Sequence, residues 1–366
     1  MSKKSVILGM SGGVDSSVAA LRLVKEGYRV HGVTLQVWEH EDETIAVSAR
    51  WQERGCCKIG LARYVANRLG ITHEVVDARS SFRKSVINDF VSSYLSGTTP
   101  NPCVRCNERV KLLMLCELAA ERGVGYVATG HYARVLAEND GLTLGRAADP
   151  KKDQSYFLYR VQPAWLPRLL FPIGELQKTE VWTHAEQLGL PVDELRESQE
   201  ICFVSHGDYR TFLKTEAPEA DISGPFTDQH GNILGRHEGI AFYTPGQRRG
   251  LGISAGRRLY VQRVDSASHA VVLTPEADLF RNDCQVGDLN LFDRSLTHRP
   301  LEAEVKVRYA TPPSLATLTP RADGMVSLRF HQPQRALSPG QSAVFYDGIR
   351  VLGGGIIQPF TSSPSP

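Results

Sequence analysis

The sequence predicts an α/β protein whose N-terminal part is a parallel sheet with helices on both faces, followed by a small central β-rich domain and a C-terminal β-barrel. Three observations carry this. Apolar strand-like runs alternate with helical periodicity through the N-terminal half, the pattern of repeated βα units. Near residue 205 that periodicity gives way to short, glycine-rich alternating segments. From about residue 281, short strands such as Ala303, Val305, Val307 and Tyr309 recur between Gly and Pro turns, as in a small barrel. These changes of texture set expected domains at 1–204, 205–280 and 281–362.

Composition narrows the class. A chain of 366 residues, 42% hydrophobic and 22% charged, is long for one core and has the balance of a globular protein. No apolar run approaches the roughly 18 residues of a membrane span, and the N-terminus lacks a secretory apolar core. The expectation is a cytoplasmic protein without a membrane partner. A net charge of +2 implies no nucleic-acid partner by itself, although a basic patch fits within a balanced total. Seven cysteines, an odd number, argue for buried, catalytic or metal-binding thiols and against a disulfide framework.

Taken in order, the first strand (Val6, Ile7, Leu8) runs into Met10-Ser11-Gly12-Gly13-Val14-Asp15-Ser16-Ser17 and then a helical pattern through Val18, Ala19, Leu21, Leu23 and Val24. Strand, glycine loop and helix form a phosphate cradle, because glycines let backbone N–H groups approach an anion and a helix N-terminus favours negative charge. Ser16 and Ser17 add hydroxyl donors. Asp15 beside phosphate is repulsive unless a divalent cation such as Mg²⁺ or a polar network intervenes. The spacing is neither GxxxxGK[ST] nor GxGxxG.

A strand over Tyr28 to Gln36, a helix from Cys57 to Leu69 and a strand from Glu74 to Val76 come next. A helix through Val86, Phe90, Val91 and Tyr94, a helix from Lys111 to Arg122 and a strand from Tyr126 to Thr129 complete the pattern. Ligands of such sheets bind beyond the carboxyl ends of the strands, which places Leu35, Gly130 and His131 near a nucleotide. An ordinary core position is the plainer reading of Leu35, and a cap or core role stands beside the functional one for His131.

Between two helical patterns, Gly97 to Asn107 carries Pro100 and Pro102 and is expected to be an ordered loop joined to neither helix. It presents Cys103-x-x-Cys106, which suits half a zinc site, a redox pair or a pair of cluster ligands. No second Cys-x-x-Cys or His pair follows, which argues against zinc. Cys202, flanked by Ile201 and Phe203, reads as a persulfide carrier, a disulfide partner of Cys106, a third iron–sulfur ligand or a plain buried thiol. Cys116 and Cys284 fall in apolar patterns and read as core, while Cys56 and Cys57 stay undecided.

The series SGGVDSS, TPNPCVRCN, ATGHY, KKDQSYFL, Ile201-Cys202-Phe203, YTPGQRRGLGI and LGGGII, in this order from residue 5 to about 360, resembles the tRNA-specific 2-thiouridylase family of the ATP pyrophosphatase, or PP-loop, superfamily. The resemblance implies a Rossmann-like, adenine nucleotide alpha hydrolase-like sheet. It also implies ATP-dependent 2-thiolation of the wobble uridine, position 34, of tRNA. The uridine C2 oxygen is adenylylated, sulfur arrives from a cysteine persulfide, and AMP and pyrophosphate leave. Matching positions place Gly9, Met10, Ser11, Gly12, Gly13, Val14, Asp15, Ser16, Leu35 and Gly130 on ATP, and the phosphate chemistry implies Mg²⁺.

Asn101, Pro102 and Cys103 would face the target base, with His131 beside them. Lys152, Asp153 and Gln154 would approach tRNA, Lys152 suiting a phosphate and Gln154 a base. Asp153 also suits a cap for the helical run at Phe157, Leu158 and Tyr159. Arg308, Tyr309 and Gln341 match tRNA-touching positions in the barrel, and Arg248 and Arg249 suit phosphate contacts. Cys106 would be the nucleophile and Cys202 the persulfide carrier, able to form a disulfide after transfer, with a persulfide sulfur-donor protein as partner.

Thiolates and persulfides are reactive near neutral pH, which fits this chemistry. Some family members carry Asp where this chain has Cys103, so an acid–base role at 103 is in doubt. Cys103, Cys106 and Cys202 also match a version that holds a [4Fe-4S] cluster; persulfide is the preferred reading. Two rivals are a C–N bond-forming ligase of the same superfamily, which has no use for the cysteines, and a non-enzymatic RNA-binding protein, which has none for an intact loop.

Overall fold

The computed structural model describes residues 4–38, 58–138, 141–190, 201–204 and 209–360. Cys56 and Cys57 lie outside the described residues, so the expected helix is described over Lys58–Leu69. The chain divides into two compact units, Met1–Ser85 with Cys103–Phe203 and Ile349–Val351, and Val86–Pro102 with Val204–Gly348 and Leu352–Pro366.

The first unit holds strands β1 (Ser5–Gly9), β2 (Arg29–Gln36), β3 (Thr72–Asp77), β4 (Tyr126–Thr129), β5 (Ala133–Glu138), β6 (Gly141–Arg146) and β7 (Leu169–Leu170). Five of them form a sheet in the order β3-β2-β1-β4-β7, with parallel pairing throughout. Val6, Ile7 and Leu8 have no solvent exposure, as expected of a central parallel strand covered on both faces. Helix α1 (Val14–Lys25) packs its apolar side with Ala62 and Val65 of the Lys58–Leu69 helix and with Val181 and Ala185 of the Lys178–Gln187 helix. The strand order reverses direction at β1, so the loop leaving it opens at the topological switch point where such sheets bind ligands. β5 and β6 form a hairpin, and Arg350 pairs with Gly145 of β6.

One segment departs from expectation. Only the part before Pro102 is a loop; Pro102–Cys106 is α-helical, Asn107–Lys111 is a π-turn, and Leu112–Glu121 continues as α-helix. Proline was expected to break the helix here, and instead it starts it. At the first helical position a proline lacks an N–H that has no intrahelical partner anyway, and its φ is already helical.

In the second unit, β8 (Gly224–Thr227), β9 (Ile233–His237), β10 (Tyr260–Asp265) and β11 (Ala270–Thr274) form a sheet in the order β10-β11-β8-β9. β12 (Phe280–Leu291), β13 (Leu301–Lys306), β14 (Ser314–Pro320), β15 (Val326–Arg335), β16 (Ser342–Asp347) and β17 (Arg350–Ile357) follow. They run β12-β15-β14-β13-β16-β17, and pairing of β12 with β17 closes the barrel. Its interior takes alternate residues, among them Ala303, Val305, Leu328, Phe330, Ala343 and Phe345, the period-2 pattern read from the sequence. Tyr309 is 37% exposed and lies outside that core.

Gly130, just past β4, lies against the main chain at the start of α1. A Cβ there would stand 2.6 Å from the Ser16 nitrogen and 2.8 Å from the Asp15 carbonyl carbon, both main-chain atoms. Gly130→Ala is therefore expected to lower the unfolding free energy by about 1–3 kcal/mol, the usual penalty of overpacking. Urea unfolding of the two proteins checks this; superimposable curves would show that the backbone yields freely.

Candidate active site

The loop after β1 is braced by its own hydroxyls. The Ser11 amide donates to Ser16 Oγ at 3.2 Å and the Gly13 amide to Ser11 Oγ at 3.3 Å, while Ser16 Oγ and Ser17 Oγ donate to the Gly13 carbonyl at 3.0 and 2.9 Å. Gly12 takes φ +71°, which turns the chain at little steric cost. Gly13 precedes α1 with no side-chain cap, leaving the helix's first amides for an incoming anion. Below the loop, Thr34 Oγ1 donates to the Met10 carbonyl at 2.7 Å and accepts from His73 Nε2 at 2.8 Å, tying the loop's start to β2 and β3. Leu35, expected either in the core or on the nucleotide, is half-buried at the end of β2.

The repulsion anticipated at Asp15 is resolved by protein groups. Asp15 Oδ1 accepts from Lys178 Nζ at 2.7 Å and from the Tyr132 hydroxyl at 2.9 Å. The Lys178 ammonium lies 5.1 Å from the Trp182 ring and 5.5 Å from the Tyr132 ring, and its backbone N–H donates to Asp149 at 3.0 Å. Sequence reasoning passed over both Lys178 and Tyr132. A signal existed for the lysine, because it opens a helix, where the macrodipole disfavours a cation. Such a lysine needs an acid from elsewhere in the fold.

Tyr132 also joins the loop to the next segment. Its amide donates to Gln154 Oε1 at 2.9 Å, and its carbonyl accepts from the Gln154 amide at 2.8 Å. Asp153 accepts from the amides of Ala147 and Ser155, each at 3.1 Å, and from Ser155 Oγ at 2.9 Å. It therefore holds the start of the Ser155–Leu158 helix, whose N-cap position itself is Gln154. Lys152 is half-buried beside it.

The thiols gather in the first unit. Cys103 and Cys106 stand three residues apart on one helix and so share a face. Cys106 is 5% exposed, whereas Cys103 and Cys202 are open to solvent. The reading of Cys202 as a buried apolar thiol is corrected: its neighbour Phe203 takes the buried place. Phe203 packs 5.7 Å from the Phe82 ring and 6.2 Å from Trp38, and this anchor turns Cys202 outward.

Burial pushes the Cys106 thiol up to about 12, against the pull of Lys111. Cys103 is accessible yet walled by protein, and the resulting desolvation raises its pKa as well. His131 accepts or donates at Nδ1 to Thr129 Oγ1 at 2.8 Å. Desolvation, then the Lys111 charge, push its pKa down to about 3, so its imidazole is neutral at physiological pH. Lys111, which sequence reasoning had treated as a helix boundary, thus belongs to the site.

Among the described residues no group of three or more His, Cys, Asp or Glu side chains is arranged to hold a metal ion. Cys103, Cys106 and Cys202 do not fit a cluster in this arrangement. Asp15 Oδ1 already takes Lys178 and Tyr132, and no step is assigned to Mg²⁺.

The remaining candidates lie in the second unit. Gln341 Nε2 donates to the carbonyls of Thr99 and Pro100 at 3.1 and 3.0 Å, fixing the main chain just before Asn101 and the buried Pro102. The Arg308 guanidinium spans the Pro245 carbonyl, the Ala336 carbonyl and Ser338 Oγ at 3.2, 2.6 and 2.7 Å. Tyr309 lies under the Lys306 ammonium, 5.0 Å from its ring centre. Arg248 and Arg249 are exposed.

Three family models match the chain: a tRNA methyl transferase HUP domain over residues 4–206, a tRNA methyl transferase PRC-barrel domain over 210–275 and an aminomethyltransferase beta-barrel domain over 281–357. A tRNA-specific 2-thiouridylase MnmA of Clostridium botulinum is 42% identical over 98% of this chain and 99% of its own length. Another, of Acetivibrio thermocellus, is 44% identical over 98% of this chain and all (100%) of its own. Among solved structures, a 4-thiouridine synthetase in complex with RNA and bound ATP shares 15% identity, covering 59% of this chain and 51% of that one with a TM-score of 0.31, too loose a likeness to inform the site. On the full-length relatives and the three successive models, the chain belongs to the tRNA-specific 2-thiouridylase family.

Proposed function

We propose that this enzyme uses ATP to replace the C2 oxygen of the tRNA wobble uridine with sulfur. The observation that carries the reading is the presence, within one compact unit, of a phosphate loop whose acidic residue is already neutralised and of a helix-borne thiol face that includes Cys106. On this reading the catalytic domain is 1–204, the central domain 205–280 and the tRNA-contacting barrel 281–362, and the reaction takes place in the cytoplasm.

The loop amides and the α1 N-terminus hold the β- and γ-phosphates. The uridine C2 oxygen attacks the α-phosphorus, and pyrophosphate departs. That oxygen, now part of a phosphate ester, leaves as AMP when the terminal sulfur of a Cys202 persulfide attacks C2. Cys106 thiolate then attacks Cys202 Sγ and breaks the Sγ–S bond. The bonding pair stays with the sulfur on C2, and the two cysteines end as a disulfide. An external dithiol reduces it, and a persulfide-bearing donor protein reloads Cys202, whose exposure suits that exchange. Asn101, Pro102 and Cys103 would face the base, and Lys152, Gln154, Arg308, Tyr309 and Gln341 would meet or shape the tRNA surface.

Cys106→Ser and Cys202→Ala should keep tRNA-dependent pyrophosphate release while single-turnover 2-thiouridine formation drops by about a thousandfold or more, as for loss of a nucleophile. Thiolation at the wild-type rate by the Cys202→Ala protein, followed with labelled sulfur, would refute the assignment. In the wild type the sulfur-transfer step should speed up with rising pH from 7 to 9, because a thiol raised to about 12 gains thiolate over the whole interval. A flat profile would place the ionisation elsewhere.

Lys178→Met leaves the Asp15 carboxylate facing phosphate with only the neutral Tyr132 hydroxyl as partner, so ATP affinity should fall about tenfold. The double variant with Asp15→Asn should lose less than the sum of the two single losses, since paired groups are not additive. Calorimetric ATP titrations check this, and strict additivity would mean that the pair does not act on the nucleotide.

A further inference from the structure

Lys111 is a cation without an acid. It is exposed at the end of the π-turn and, among the described residues, forms no ion pair with a carboxylate. The acid nearest to it in the chain is spoken for: Glu108 pairs with Arg160 at 2.8 Å and with Arg105 at 3.3 Å.

Its placement depends on the irregularity of its helix. Lys111 follows Cys106 by five residues. In a regular α-helix, at about 100° per residue, it would sit about 140° round the axis, away from the thiols. Here the Leu112 amide donates to the Asn107 carbonyl, five residues back. Five residues then make a little over one turn, and Lys111 returns to the face that carries Cys103 and Cys106.

We propose that Lys111 is a positioning residue whose ammonium faces the sulfur surface formed by Cys103, Cys106 and Cys202 and favours anionic sulfur there, thiolate or persulfide. This rests on the reading that these thiols carry the sulfur. The mutual field agrees: Cys106 is the largest influence raising the Lys111 pKa, with Cys103 and Cys202 adding to it. The other titratable group facing it, His131, is held neutral, so positive charge at this surface belongs to Lys111.

The test reads charge directly. Wild-type protein, Lys111→Met and Lys111→Arg are alkylated at one pH with anionic iodoacetate and neutral iodoacetamide, and the rate at each cysteine is measured by mass spectrometry. The ratio of the two rates cancels thiolate fraction and access. At Cys103, Cys106 and Cys202 it should fall at least about threefold in Lys111→Met, a modest size for the loss of one nearby charge. It should hold within about twofold in Lys111→Arg. Cys116, on which Lys111 is not among the influences, is the internal control.

An unchanged ratio in Lys111→Met overturns the proposal, including the case in which tRNA or ATP binding weakens instead and Lys111 proves to be a phosphate contact. A ratio that falls in an enzyme that makes no 2-thiouridine upholds the cation at the sulfur surface and removes the sulfur-transfer reading on which its purpose rests.

Discussion

The contact on which the loop after β1 depends is that of Asp15 with Lys178 and Tyr132. A carboxylate in the first turn of α1 favours the helix dipole but opposes phosphate bound at the same terminus. Lys178 removes the opposition without removing the carboxylate, and in doing so joins the Lys178–Gln187 helix to the loop. Tyr132 adds a third anchor, and its main chain in turn holds Gln154. One anionic oxygen thereby links α1, the end of β4 and a helix more than a hundred and fifty residues away in the chain. The approach of Gly130 to Ser16 is the steric counterpart of this link: the strand end can come so close only because it lacks a side chain.

The second constraint is the helix that begins at Pro102. It sets Cys103 and Cys106 three residues apart on one face, and its π-turn returns Lys111 to that face. A loop with the same cysteines would hold them less firmly, since a helical backbone fixes both Cβ directions at once. Cys202 reaches the cluster differently. It is exposed in a short segment secured by Phe203 against Phe82 and Trp38, so an aromatic anchor, and no helix, decides where its sulfur stands.

Much of this was legible in the residues. The parallel sheet followed from Val6 to Leu8 and the later apolar runs, and the barrel from alternation at Ala303, Val305 and Leu328, because periodicity reports burial directly. The turn from β1 into α1 was legible because its glycines and serines are local. What escaped was long-range or depended on context. Proline breaks a helix or begins one according to position, and Pro102 was taken for a break. The partner of Asp15 lay 163 residues away, and no local rule connects the two. Lys111 looked like a helix boundary because a π-turn leaves no trace in hydrophobic spacing. Cys202 looked buried because its flanks are apolar, whereas only Phe203 was.

Cys106 and Cys202 differ in exposure, and on the proposed reaction that difference orders the chemistry. A cysteine that receives sulfur from another protein must be reachable, and Cys202 is. The cysteine that ends the reaction should not react earlier with oxidants or with the donor, and burial of Cys106 keeps it a thiol. The same burial slows the final attack unless something favours its anion when the substrate is in place. A cation on the same helix face answers that need without exposing the sulfur, and a helix with one extra residue in its turn is a direct way to put the cation there. The protection of Cys106 and the π-turn beneath Lys111 are on this view two sides of one requirement: a sulfur guarded by burial whose anion, when it forms, meets a cation.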